Sequence, residues 1–117
     1  MRHDLQLVFL RAYVPLLHDG TNRCTRRAGW TATHAAKFLR RVGYTVRACH
    51  NWKNDSHFGW VHIASMHQEQ RRAMPATDLA LEGHPSLTLA QFFALPMWQG
   101  TGDTTPVWVI RFAFSPL

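Results

Sequence analysis

Residues 31–52, TATHAAKFLRRVGYTVRACHNW, decide the fold, because a helical pattern changes to a strand pattern at one glycine. We predict a helix over residues 33–42, with Thr31 or Thr33 as its N-terminal cap and Gly43 just beyond its C-terminus. The apolar side chains of this segment fall within one arc of about 100°: Ala35, Phe38, Leu39 and Val42. The helix therefore packs by one face.

Strand patterns lie on both sides of this helix. Residues 44–52 alternate as a strand does, residues 53–57 have turn composition, and residues 58–64 form the returning strand of a hairpin. Further strands are predicted over residues 5–14, ended by Pro15, and over residues 107–114. Residues 18–27 read as a polar loop, and residues 67–74 and 75–81 as helix-compatible. A further helix is predicted over residues 85–95, capped by Ser86 or Thr88.

The order of these elements indicates the fold class. It is β-α-β-β-α-β, the split βαβ or ferredoxin-like arrangement. We therefore predict a single α+β domain over residues 1–117, with a mainly antiparallel sheet and two or three helices.

Composition excludes several classes of protein. The chain has 117 residues, 46% of them apolar and 12% aromatic, with only two cysteines, Cys24 and Cys49. The high apolar and aromatic content excludes a disordered tail, and the low number of cysteines excludes a disulfide-dense scaffold. No stretch reads as a signal peptide or a membrane span, so no membrane partner is expected. Two distant cysteines without a CxxC motif fit a reducing compartment, which makes the cytoplasm the expected location.

The charge is concentrated in the first half of the chain. Ten of the 13 basic residues lie in residues 1–53, against two of the seven acidic ones. Such asymmetry indicates an anionic partner, either nucleic acid or an acidic protein surface. The candidate contacts are one lysine and six arginines, and arginine suits phosphate recognition: Arg23, Arg26, Arg27, Lys37, Arg40, Arg41 and Arg47.

A local motif points to RNA. The run Phe58-Gly59-Trp60-Val61, on the predicted returning strand, resembles the longer RNA-contacting motif of the RNA-recognition-motif family. Val8-Phe9-Leu10 resembles that family's shorter companion motif. The resemblance implies a sheet on which Phe9, Phe58 and Trp60 stack on unpaired bases. Strand alternation puts Phe58, Trp60 and His62 on one face.

Signatures of metal binding and catalysis are missing. The eight histidines form no HxH or HxxxH spacing, so no metal site and no cofactor is predicted. No GxSxG motif, phosphate-binding glycine loop or close carboxylate pair is present, and no catalytic residue is assigned. A helix ending in Arg40-Arg41-Val42-Gly43-Tyr44 before a hairpin that carries His57 is similar to HicA-type ribonuclease toxins. Under that alternative, His57 or His50 would be the general base.

The protein is therefore predicted to be a small, basic, non-enzymatic binder of RNA, of single-stranded DNA or of a complex that handles nucleic acid. The principal alternative is a protein-binding inhibitor or adaptor of the mobile-element type, as anti-CRISPR proteins are. Three tryptophans beside loop or turn residues, Trp30, Trp52 and Trp98, support that alternative, because Trp and Arg dominate interface hot spots.

Overall fold

Nine helices and strands, in the order β-α-β-α-β-β-α-α-β, make up the part of the chain that the computed structural model describes, residues 5–52 and 56–117. The strands are β1 (Gln6–Val8), β2 (Cys24–Ala28), β3 (Thr45–Cys49), β4 (His57–Gln70) and β5 (Pro106–Pro116). The helices are α1 (Val14–His18), α2 (Ala32–Leu39), α3 (Asp78–Leu81) and α4 (Leu89–Phe93). Short 3-10 turns occupy Arg11–Tyr13, Arg71–Ala73 and Pro96–Trp98.

The strands form one mixed sheet in the order β1-β3-β4-β5-β2. β1 runs parallel to β3, and the other neighbours are antiparallel. β4 is the central and longest strand, and its register shifts between Ile63 and Ser65. Such a bulge bends a strand. β4 pairs with β5 on both sides of the bulge, but with β3 only through residues 57–62.

Two apolar clusters hold the sheet and helices together. The larger one packs α2 against the sheet through buried side chains that include Leu7, Phe38 and Ile110. The smaller one joins α3, α4 and β5 and includes Leu79, Phe92 and Trp98. The sheet and the helices packed on it confirm an α+β domain with a mixed sheet and a few helices.

The predicted helix at residues 33–42 is confirmed as α2. The Thr31 side chain accepts a hydrogen bond from the backbone N–H of His34 at 3.1 Å, which is the expected cap. The prediction that Leu39 and Val42 face the core was wrong: they are 41% and 37% exposed, because α2 ends at Leu39 and Val42 lies in the turn that follows it. The strands predicted at residues 44–52, 58–64 and 107–114 correspond to β3, β4 and β5, and the helix at 85–95 to α4 with Thr88 as its cap. Most of the predicted turn, residues 53–55, lies outside the described residues.

Three further predictions were wrong. The strand at residues 5–14 is limited to β1, and Pro15 stands in the first turn of α1, where its missing N–H costs nothing. The polar loop at 18–27 contains β2, whose backbone pairs with β5. Residues 67–70 continue β4 instead of starting a helix. With β2 as a fifth strand at the sheet edge, the ferredoxin-like order is not confirmed.

None of the helices in the described ranges is long and apolar enough to cross a membrane.

Candidate functional site

A groove with basic and aromatic walls lies where α2 is followed by β3 and faces β4. We call it the basic-aromatic groove. Its cavity has a volume of about 570 Å³. It is lined by Arg40, Arg41, Tyr44, Thr45, Val46, Arg47 and Trp60.

The local sequence builds one wall of the groove at the end of α2. Gly43 has a φ of 90°, which only glycine adopts readily, and its N–H donates to the carbonyl of Ile63 at 2.8 Å. The N–H of Tyr44 donates to the carbonyl of Arg41 at 2.8 Å. This tight turn leaves the Tyr44 side chain 66% exposed beside the two arginines at the end of the helix, Arg40 and Arg41.

Pairing of β3 with β4 builds the other wall. Arg47 is directly opposite Trp60, so the two side chains lie on the same face of the sheet. Trp60 is 37% exposed, and the imidazole of His57 meets its ring edge-on at 4.5 Å between centroids. His57 in turn is hydrogen-bonded through Nε2 to the carbonyl of Gly59 at 2.7 Å. These contacts restrict the orientation of the indole.

The groove brings together four residues of the predicted site: Arg40, Arg41, Arg47 and Trp60. Lys37 is exposed on α2, about one turn before the two arginines, and Arg23 is exposed next to β2. Neither Lys37 nor Arg23 lines the groove.

Arg26 was wrongly predicted as part of an exposed basic surface. Its side chain is 0% exposed. The guanidinium contacts Glu69 at 3.1 Å, Asp78 at 2.7 Å and, through Nη1, the carboxylate of Glu82. Burial opposes its charge, but hydrogen bonds to Glu82 and Asp78 outweigh that effect and raise the pKa of Arg26. Asp78 also accepts from Arg111 at 2.9 Å. We call these residues, Arg26, Glu69, Asp78, Glu82 and Arg111, the ion cluster.

Phe9 and Phe58 do not form an exposed stacking surface either. Phe9 is 3% exposed, and its ring lies 5.7 Å from that of Phe112. Phe58 is half-buried between His50, with ring centroids 6.3 Å apart, and Phe114, at 5.6 Å. Phe9 belongs to the larger apolar cluster and Phe58 packs against it. Neither ring is exposed enough to stack on a base as predicted.

Arg27 and Phe9 instead line a second, more enclosed cavity of about 270 Å³. The Arg27 guanidinium lies over the Phe9 ring at 5.2 Å and donates to the Thr25 hydroxyl at 3.0 Å. Burial lowers the pKa of Arg27 to about 10. Other walls of this cavity come from Tyr13, Asn22, Glu82, Phe92, Met97 and Trp98.

Polar side-chain groups line the enclosed cavity, including one hydroxyl that is hydrogen-bonded and one N–H that has no hydrogen-bond partner among the described residues. The Tyr13 hydroxyl is hydrogen-bonded to Nε2 of His84, and burial and then Glu82 raise the pKa of Tyr13. Nε1 of Trp98 is buried and has no hydrogen-bond partner among the described residues. Trp98 is 3% exposed, so it does not serve as an exposed anchor of the kind the inhibitor alternative needs. Trp52 is 67% exposed, as an anchor of that kind requires.

Two solved structures have folds similar to that of the described residues. It superposes on the ASCH domain from Lactobacillus crispatus JV V101 with a TM-score of 0.67 at 12% identity, covering 93% of this chain and 77% of that one. The fold is similar to that of ASCH domains. An S128A mutant of ZmASCH from Zymomonas mobilis gives a TM-score of 0.58 at 10% identity, with 92% of this chain and 65% of that one covered. The chain thus spans slightly less than two thirds of the second protein. No protein-family model and no curated protein sequence matches the chain.

Proposed function

We propose that this protein binds single-stranded nucleic acid through the basic-aromatic groove. The observation that carries the proposal is the position of two exposed aromatic rings, Tyr44 and Trp60, in one groove with three arginines. Aromatic rings stack on bases, and guanidinium groups form forked hydrogen bonds with phosphates. The similarity of the fold to ASCH domains is compatible with this function.

The partner is a single strand because stacking needs an unpaired base. In a duplex the base faces are covered by neighbouring pairs, whereas a loop or single strand can place a base on an aromatic side chain. The resemblance of residues 58–61 to an RNA-recognition motif implies stacking by Trp60, and the exposed position of Trp60 on β4 supports that role. Each stacked base contributes about 1–3 kcal/mol to binding.

The arginines add a contribution that does not depend on sequence. Arg40 and Arg41 follow one another at the end of α2, and Arg47 lies across the groove on β3. Contacts with phosphates release counterions, so affinity falls as salt rises. The groove is therefore expected to bind many sequences, with stacking strength setting any preference among bases.

The test is a fluorescence-anisotropy titration of labelled RNA, single-stranded DNA and duplex. Each strand is about 12 nucleotides long, which is within the range of site sizes of single-strand binding proteins. Wild-type protein should bind both single strands more tightly than duplex. Trp60→Ala should weaken binding about 5- to 150-fold, as the loss of one stacked base predicts. Trp52→Ala is the matched control, because Trp52 is also exposed but does not line the groove.

Three outcomes separate the alternatives. Equal losses for Trp60→Ala and Trp52→Ala would place the contact outside the groove. Failure to bind any nucleic acid at low salt would favour the protein-binding inhibitor or adaptor. Shortened RNA on a denaturing gel after the titration would favour the HicA-like ribonuclease, with His57, the residue in contact with Trp60, as the first residue to substitute.

The enclosed cavity favours a second candidate function, binding of a small planar ligand. Its volume of about 270 Å³ is slightly below the usual range for ligand pockets of about 300–1,000 Å³, and its walls are aromatic with a few polar groups. Thermal-shift measurements with free nucleosides test this: a stabilisation lost in Arg27→Met but retained in Arg40→Met would support it. No shift with any nucleoside would contradict it.

A further inference from the structure

The second half of β4 has an open edge. β4 pairs with β3 through residues 57–62 but with β5 as far as Gln70. Hydrogen bonds between Ile63 and the Gly43–Tyr44 turn end the contact on the β3 side. Within the described parts of the chain, residues 64–70 therefore have a strand neighbour on one side only.

The direction of the backbone groups along this edge follows from its two ends. Ile63 exchanges hydrogen bonds with Gly43 and Tyr44, away from β5. After the bulge, the N–H of Arg71 donates to the carbonyl of Thr105 at 2.8 Å, on the β5 side. Backbone groups alternate in direction along a strand. Counting back from Arg71, the N–H and C=O groups of three residues point outward: Met66, Gln68 and Gln70.

Two features that usually hinder edge pairing occur here, a bulge at the start of the edge between Ile63 and Ser65 and one acidic side chain, Glu69, whose charge is paired with Arg26. Residues 64–70 read ASMHQEQ and contain no proline, lysine or arginine, the residues that usually prevent a sheet edge from pairing. Gln68 and Gln70 are exposed, and the His67 side chain is 51% exposed. The other two sheet edges, β1 and β2, are only three and five residues long.

We propose that two copies of this chain associate by antiparallel pairing of this edge, with the two-fold axis at Gln68. In this register Gln68 pairs with Gln68 of the second copy, and Met66 faces Gln70. His67 then lies opposite Glu69 of the second copy, so the only acidic residue of the edge meets its only histidine, in addition to the 3.2 Å contact that the two side chains make within one chain. The pairing is complementary to itself, which identifies a second copy of this chain as the partner.

The proposed dimer is expected to be weak because its interface is small. An edge of about five residue pairs buries much less than the roughly 1,200–2,000 Å² of a stable interface, so association is expected only at high protein concentration. The inference does not depend on the nucleic-acid proposal.

Sedimentation velocity of the full chain, from about 10 µM to about 1 mM, tests the proposal. The sedimentation coefficient should rise with concentration for wild type and for Gln68→Ala, which keeps the backbone N–H. Gln68→Pro removes an N–H that no strand inside the molecule uses, and should weaken association about tenfold or more by deleting both hydrogen bonds at the two-fold axis. A monomer at every concentration, or equal association of Gln68→Pro and wild type, would overturn the proposal.

Hydrogen exchange of the wild-type protein provides the second readout, independent of how proline affects folding. The amides of Met66, Gln68 and Gln70 should exchange more slowly as concentration rises, while that of His67, which points toward β5, should not change. Concentration-independent exchange at all three outward amides would contradict the proposed edge.

Discussion

Replacement of Arg26 by methionine separates structure from binding in this protein. The change keeps a long side chain but removes the guanidinium that joins three carboxylates, those of Glu69, Asp78 and Glu82. Methionine leaves these carboxylates with one cation of the ion cluster, Arg111, which contacts Asp78. The protein should be strongly destabilised.

The magnitude follows from burial. Arg26 is 0% exposed, and the side chains of Asp78 and Glu82 are each 6% exposed. Removing one partner from a buried ion pair costs about 3–5 kcal/mol, because the remaining charge has lost both water and its counterion. With an unfolding entropy of about 2.1 cal/mol/K per residue, the melting temperature of a 117-residue chain should fall by about 12–20 °C.

Urea denaturation followed by tryptophan fluorescence measures this loss, and Arg40→Met is the matched control. Arg40 is exposed and lines the basic-aromatic groove, so its replacement should change stability by less than about 0.5 kcal/mol while weakening RNA binding. Arg26→Met should do the reverse, with RNA affinity retained wherever the protein is folded. A stability loss below about 1 kcal/mol for Arg26→Met would refute the assignment of Arg26 to the ion cluster.

Three further predictions concern stability. Gly59→Ala should destabilise by about 1–3 kcal/mol in urea melts, because its Cβ would lie 2.5 Å from the Phe114 ring and 2.6 Å from the carbonyl of Ser115; no change would show that β5 moves aside freely. Burial raises the pKa of Glu82 to about 6 from 4.5, so its stabilising contribution is full below about pH 4.5 and is lost as pH rises through 6. Between about pH 4 and pH 7, wild type should therefore lose about 2 kcal/mol more stability than Glu82→Gln, and parallel pH profiles would contradict the shift. Phe38→Ala should cost about 3–5 kcal/mol, since Phe38 is 0% exposed, and a loss under about 1 kcal/mol would remove α2 from the core.

Elements with a regular local pattern could be predicted from the sequence. α2 has its cap at Thr31 and its terminating Gly43 within the same short segment, and β5 has a continuous run of β-branched and aromatic residues from Val107 to Ile110. In both cases nearby residues determine the structure, so the local pattern is sufficient. The arginine pair at positions 40 and 41 lies at the end of α2, where the local pattern puts it, and its role in binding stays a prediction.

The ion cluster could not be predicted in this way. Arg26 and Arg27 are adjacent and look equivalent in the sequence, but β2 turns one toward the carboxylates and the other into the enclosed cavity. The partners of Arg26 lie 43 to 56 residues away along the chain. Only the position of β2 beside β5 brings them together, and β2 itself lacks an apolar pattern.

Tyr44 was missed as a functional residue for a different reason. It has the same parity as the buried Val46, which predicts that it faces the core. The structure ends the strand pattern at Thr45, and the turn at Gly43 leaves Tyr44 outside the sheet. Strand parity is reliable only inside the paired region.

The salt dependence of binding to single-stranded RNA tests the central claim most directly. The logarithm of the binding constant should fall linearly with the logarithm of salt concentration between about 50 and 200 mM. In the Arg40→Ala/Arg41→Ala double variant this negative slope should become less steep by about 1.4, or about 0.7 for each lost phosphate contact. Arg72→Ala removes an exposed arginine outside the groove and should leave the slope unchanged. An equal slope for the double variant and wild type would contradict the assignment of nucleic-acid binding to the basic-aromatic groove.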